Sequence, residues 1–336
     1  MTERRIGPLD SWQRRHPVLG LPIAVIYKYF DDQATYLAVI ITYYALFAVF
    51  PLLLLASSIL GFVLQGNPDL SQQVLDSALS QFPIIGDQFR RPEGLTGSTT
   101  AVVVGSLAAA YGAIGLGSAI QNALNIAWAV PRNSRPNPVF LRLRGLLLVL
   151  VSGLVILAVT TVSVIASSTT LFEFLAASPL RWSVRVLSVL VLAALLAILL
   201  RVGPARGPRT RSTLPGALMI ALMWHLLQTL GTLYVTLILA EASTLNQTFG
   251  VVLGLMGLLF LASVMAMLGV ELNVVLERRL WPRALLTPFT DAVELTEADR
   301  RAYASYARAQ RHKGFETVTV DFDRRDEDDQ PQRPGG

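Results

Sequence analysis

The chain has no cysteine, which excludes disulfides, cysteine-based zinc sites and thiol chemistry. Only three histidines occur, and His16, His225 and His312 lie far apart, so no histidine metal cluster is expected. There is no GxxxxGK phosphate loop, GxSxG elbow or HExxH helix. Asp69, Asp87, Glu173 and Glu241 lack the paired spacing of a hydrolase. These absences predict a protein without catalytic residues, cofactor or metal. Charge is scarce too: charged residues are 15% of the chain and hydrophobic ones 53%, with a mean hydropathy of +0.51. That balance points away from a soluble domain and towards a membrane protein.

Six long apolar stretches fill the sequence, running Leu37–Gln65, Thr100–Val130, Gly145–Ser168, Trp182–Leu200, Leu214–Ala240 and Gly250–Leu276. A bilayer core of about 30 Å takes about 20 helical residues, so the expected fold class is all-α, a polytopic membrane protein with six transmembrane helices. Arginine sets the orientation, because Lys and Arg accumulate on the cytoplasmic side. Sixteen basic residues (Arg4, Arg5, Arg14, Arg15, Lys28; Arg132, Arg135, Arg142, Arg144; Arg201, Arg206, Arg209, Arg211; Arg278, Arg279, Arg283) fall on one side. Four (Arg90, Arg91, Arg181, Arg185) fall on the other. Both termini are therefore expected in the cytoplasm, at the inner membrane of a bacterium. The net charge of +5 is accounted for by topology and anionic headgroups. It forms no basic, aromatic-laced face, so no nucleic-acid partner is expected.

Residues 1–36 form a cytoplasmic N-terminus with a short interfacial helix at Ile23–Phe30, 37–280 the transmembrane domain, and 281–336 a cytoplasmic tail. Met1–Gly20 is polar and proline-interrupted, so no cleavable signal peptide is expected. Leu70–Phe82 has helical spacing and predicts an extracytoplasmic amphipathic helix, over a pathway mouth or resting on headgroups. Thr296–Asp299 offers a capping box before a polar helix to about Gln310. Asp321–Gly336 reads as disordered.

Polar groups at membrane depth are costly and mark either function or helix contacts. Gly115, Ser118, Asn122 and Asn125 share one helix face. Tyr43, Asn122, Asn125, Glu271 and Asn273 are expected at one depth near the cytoplasm, with Arg142 and Arg144 as an anion-attracting rim. They form either a substrate vestibule, in which Glu271 senses a cation or proton, or interhelical hydrogen bonds. His225 and Gln228 make a candidate proton relay, with a neutral hydrogen-bonded histidine as the alternative. Pro51 is a hinge or a static bend. Gly250 and Gly254, with Gly105, Gly112, Gly115 and Gly117, suit internal packing or a homo-oligomer.

The runs ITYYALFAVFPLLLL from Ile41, NALNIAWAVP from Asn122, LPGALMIALMWHLLQTLGTLYV from Leu214 and GVELNVVL from Gly269 together resemble the YihY/BrkB family of inner-membrane proteins, of the envelope-integrity type. The likeness covers about Tyr29–Leu280 and picks out Tyr43, Pro51, Asn125, Pro204, Gly216, Tyr234, Gly269 and Glu271. Where many relatives carry an acidic residue and a lysine in the fifth span, this chain has His225 and Gln228. The resemblance implies a six-span protein of envelope integrity, with transport or flipping of envelope lipids; together with the arginine rim, the expected activity is movement of an anionic lipid or other envelope component, with membrane lipids as partners. A non-transporting scaffold is the alternative. A lipid-modifying enzyme ranks lower, as does the older label of transfer-RNA-processing ribonuclease, which the missing catalytic domain argues against.

Overall fold

The computed structural model describes residues 8–63, 99–167, 178–234, 244–285, 287 and 293–322. Among these residues the chain is helical and has no strands. The α-helices are α1 Pro8–Arg15, α2 Pro17–Asp31, α3 Ala34–Val63, α4 Thr99–Ala127, α5 Pro138–Ser167, α6 Ser178–Val202, α7 Thr210–Tyr234, α8 Thr244–Arg278 and α9 Glu297–Ala309. The apolar runs become helices because in lipid a backbone must satisfy its own hydrogen bonds.

Two helices are long and apolar enough to cross a membrane, Thr210–Gly231 and Gly250–Arg278. Gly20–Asp31 and Ala34–Val49, bent by 67° at their break, make a third when counted as one span. Val186–Val202 is apolar but shorter. By length and composition the described residues thus give two or three spans, fewer than the six expected. The expected helix at Leu70–Phe82 and the outer carboxylates lie outside the described residues.

Helix α3 packs along α4, α4 along α5, and α7 along both α6 and α8; α8 also meets α3 and α2. Two crossings depend on glycine. A Cβ on Gly117 of α4 would collide with the backbone of Gly145 in α5, and one on Gly216 of α7 with the carbonyl of Gly269 in α8. Such small-on-small contacts let helix backbones approach where the hydrophobic effect gives no drive. Gly112 faces the backbone of α3 at Phe47 and Ala48, and Gly115 faces Tyr44, so these small faces of α4 pack internally.

The N-terminal segment differs from a plain interfacial helix. It starts at Pro17, breaks at Asp32–Gln33 with Gln33 at φ 52°, and buries Ala24, Val25 and Lys28 where α2 packs on α8. At the other end the capping box closes as expected: Thr296 Oγ1 accepts from the Asp299 N–H, and the Asp299 carboxylate accepts from the Thr296 N–H. Order continues past Gln310. The Asn133 N–H donates to the Arg311 carbonyl (3.1 Å) and Arg132 Nε to Gln310 Oε1 (3.1 Å), tying this segment to the α4–α5 loop. Residues 323–336 of the tail lie outside the described residues.

Candidate functional site

The last turns of α8 carry polar side chains into a buried interior. Glu271 is 0% exposed and Asn273 1%. Each finds a different neighbour. Pro215 lacks an N–H inside α7. One residue on, the Gly216 N–H donates to Asn273 Oδ1 (2.7 Å), while Asn273 Nδ2 donates to the Thr213 carbonyl (3.2 Å). Asn273 therefore repairs an irregular helix start.

Glu271 faces α2. Its Oε2 lies 3.3 Å from Lys28 Nζ, yet among the described residues neither carboxylate oxygen accepts a well-aligned hydrogen bond. The same ammonium pairs closely with Asp32, one turn further along the chain, and sits 5.1 Å from the centre of the Tyr306 ring. One buried cation thus stands between two buried carboxyl groups.

A second charged group adjoins the first. Arg283, fully buried, pairs with Asp299 through Nε and with Asp31 through Nη2 (3.0 Å). Its guanidinium lies over the rings of Tyr303 and Tyr27, 5.4 and 6.0 Å away. The Tyr306 hydroxyl reaches Asp31 Oδ2 at 3.4 Å. Gln13 donates to the Arg283 carbonyl, and the Leu285 N–H to Asp10 Oδ1 (3.0 Å). Burial alone would lower the Arg283 pKa, but Asp31 and Asp299 outweigh it and hold the group above its usual value. Burial, then the Asp32 and Asp31 charges, raise Tyr306 well above the ordinary phenol value. The two groups hold Lys28 and Arg283 against Asp31, Asp32, Asp299 and Glu271, two cations for four carboxyl groups. They fasten α1, α2, the end of α8 and α9 into one junction.

The other expected site residues are placed separately. Asn122 accepts from Arg135 Nη1 (3.2 Å). Asn125, 1% exposed, accepts from the Ala205 N–H (2.7 Å). Arg144 donates to the carbonyls of Val202 and Pro204. Asn125 and Arg144 hold the turn between α6 and α7 against α4 and α5, while Asn122 ties α4 to the α4–α5 loop. Tyr43 is 49% exposed on α3, its ring 5.2 Å from Tyr44 and 4.9 Å from Phe47, with Tyr44 5.9 Å from Tyr111 of α4. Arg142 is exposed on α5, within electrostatic reach of Tyr44. His225 and Gln228 are half-buried on α7; among the described residues His225 Nε2 has no hydrogen-bond partner. The backbone of α3 runs through Pro51, whose side-chain surroundings lie outside the described residues.

Lys28, Asp31, Asp32, Arg283, Asp299 and Tyr306 were not among the residues singled out from the sequence as a site. The available signals were the i,i+4 spacing of Lys28 and Asp32 in an otherwise apolar helix and the aspartate of the capping box.

A family model described as Virulence factor BrkB matches residues 25–289. No curated protein and no solved structure matches the chain.

Proposed function

The chain belongs to the BrkB family, and from that premise we propose that this integral membrane protein is a multi-pass, non-enzymatic transporter of the bacterial inner membrane that moves an anionic amphipathic envelope component between leaflets. The observation that carries the reading is the exposed aromatic face of Tyr43 and Phe47 on α3 with Tyr111 on α4, beside the exposed Arg142 of α5. The tyrosines pair an apolar ring with a hydroxyl, which suits an amphipathic ligand, and a guanidinium suits phosphate or carboxylate. A surface of both kinds fits an amphipath with an anionic head.

Six spans with both termini in the cytoplasm are the topology proposed with it. α3 to α8 run from 25 to 35 residues each, longer than the roughly 20 a bilayer requires, and the arginine asymmetry orients them. Membrane lipids are the proposed partners, and envelope integrity the process served. A scaffold is the second reading, favoured by one observation: Asn122, Asn125 and Asn273 are engaged in ties between elements.

The test is translocation of head-labelled anionic and zwitterionic phospholipids in proteoliposomes, read by access of an external quencher. Wild type is expected to expose inner-leaflet anionic label, and Tyr43→Ala with Arg142→Gln to lose most of that exposure. Folded wild-type protein that exposes no lipid supports the scaffold.

A further inference from the structure

Lys28, Asp32 and Glu271 have side chains that are 1%, 2% and 0% exposed, and together they carry one positive charge against two carboxyl groups. Two carboxylates crowded on one site do not both ionise when water is excluded, because mutual repulsion and desolvation add. A metal ion is no remedy, since the Lys28 ammonium already occupies the space between them. The surrounding charges do not remove the excess. On α8, Arg278 acts on Asp32 but donates to the Trp128 carbonyl. Arg283 is engaged by Asp31 and Asp299. Tyr306 of α9 presents its ring to Lys28 and its hydroxyl to Asp31. The remaining imbalance coincides with a gap in the hydrogen bonding, for among the described residues neither oxygen of Glu271 accepts a well-aligned donor. A single acid proton supplies both the missing charge and the missing donor.

We propose that Asp32 and Glu271 hold one exchangeable proton between them, next to Lys28, and that its release loosens the docking of α2 on α8. The location gives the proton mechanical consequence. Asp32 sits at the break where α2 turns by 67° into α3, while Glu271 belongs to α8. With the proton bound, two ionic species of opposite sign are paired at neutral net charge. Without it, the buried trio of Lys28, Asp32 and Glu271 carries a net negative charge that burial penalises, and the contact of α2 on α8 loosens to let water reach it. The proposal is independent of what the protein moves and of whether it moves anything.

The experiment is infrared spectroscopy of the full chain in nanodiscs, following the carbonyl stretch of protonated carboxyl groups against pH in H2O and D2O. The expected result at neutral pH is a deuterium-sensitive band in wild type that disappears in Glu271→Gln and in Asp32→Asn, and persists in Glu277→Gln, an exposed carboxylate on the same helix. A wild type without the band, or a band that survives both variants, overturns the proposal.

Thermal stability against pH is the second readout. The native state holds a proton that the unfolded chain gives up in the ordinary carboxyl range. Stability therefore falls as pH rises from that range through the release of the shared proton. Glu271→Gln, isosteric with the protonated acid, is expected to fold and to lose this pH dependence. If it fails to fold at neutral pH, or keeps the wild-type dependence, the shared proton is refuted.

Discussion

Replacing Arg283 with methionine tests whether the junction of α1, α2 and α9 is held by buried charge or merely decorated by it. Arg283 is 0% exposed and pairs with two carboxylates, Asp299 at 0% and Asp31 at 12% side-chain exposure. Breaking a buried pair by removing one partner costs about 3–5 kcal/mol, since the abandoned charge stays desolvated. The lower end applies here. Asp299 keeps the Ala284 N–H, the Thr296 N–H and the Thr296 hydroxyl as donors, all within 2.9 Å, and Asp31 keeps Tyr306 at 3.4 Å. Loss of the ring contacts with Tyr303 and Tyr27 adds about 0.5–1 kcal/mol each. A net cost of about 4–5 kcal/mol follows, against the roughly 0.2–1 kcal/mol of an exposed pair.

Because α9 is fastened by this cation, the loss is expected as local opening before global unfolding. Hydrogen exchange of α9 amides in nanodiscs reads it directly. At about 1.4 kcal/mol per factor of ten, exchange accelerates about a thousandfold. The double variant Asp31→Asn, Arg283→Met is expected to recover part of the loss, because it withdraws one abandoned charge. An acceleration under about fivefold would place Arg283 with surface ion pairs and refute the reasoning. So would equal acceleration throughout α4 and α7, which have no part in this cluster.

Gly216→Ala is expected to destabilise by about 1–3 kcal/mol through overpacking against Gly269, whereas Gly153→Ala, with nothing within 4 Å of the new Cβ, should stabilise by about 0.5–1 kcal/mol as an ordinary helix glycine; thermal unfolding in one detergent compares them, and destabilisation by Gly153→Ala would indicate a neighbour from a second copy. Arg279, exposed at φ 52°, ends α8 with the Leu280 N–H on the Val275 carbonyl (3.0 Å). Glycine favours that left-handed position, so Arg279→Gly is expected to raise the melting temperature, and a fall would deny the strain. The Glu316 carboxylate accepts from the His312 and Lys313 N–H groups (2.7 and 3.1 Å), which lower its pKa. A depressed carboxyl contributes stability above its unfolded pKa and loses it as pH falls through the folded one. The 312–316 turn should therefore open on acidification, seen as amide NMR shifts that Glu316→Gln shows at neutral pH.

Local features were legible in the sequence. Long apolar runs became helices for want of any other way to satisfy a backbone in lipid, and the capping box at Thr296–Asp299 needs only four neighbouring residues. Gly216 and Gly269 stood out only through the family likeness. Their physical role is a crossing of two backbones, and a sequence does not say which glycines meet. The polar face of α4 was recognisable from spacing, but its Asn125 is directed to the Ala205 N–H, a partner fixed only once α6 and α7 have turned.

The arginines show most clearly why the site was harder to read than the fold. As topological markers they are interchangeable, because each contributes one charge to a loop. In the folded chain they separate by desolvation. Arg142 stays exposed, Arg144 and Arg278 are spent on backbone carbonyls, and Arg283 is sealed between two carboxylates. Lys28 belongs with Arg283, since its charge also is worth far more buried than at a loop. Its partner Glu271 comes from the far end of the chain, brought there by the packing of α2 on α8. Interaction energy scales inversely with effective dielectric, so the charges that matter most are those the fold hides, and hydropathy alone cannot rank them.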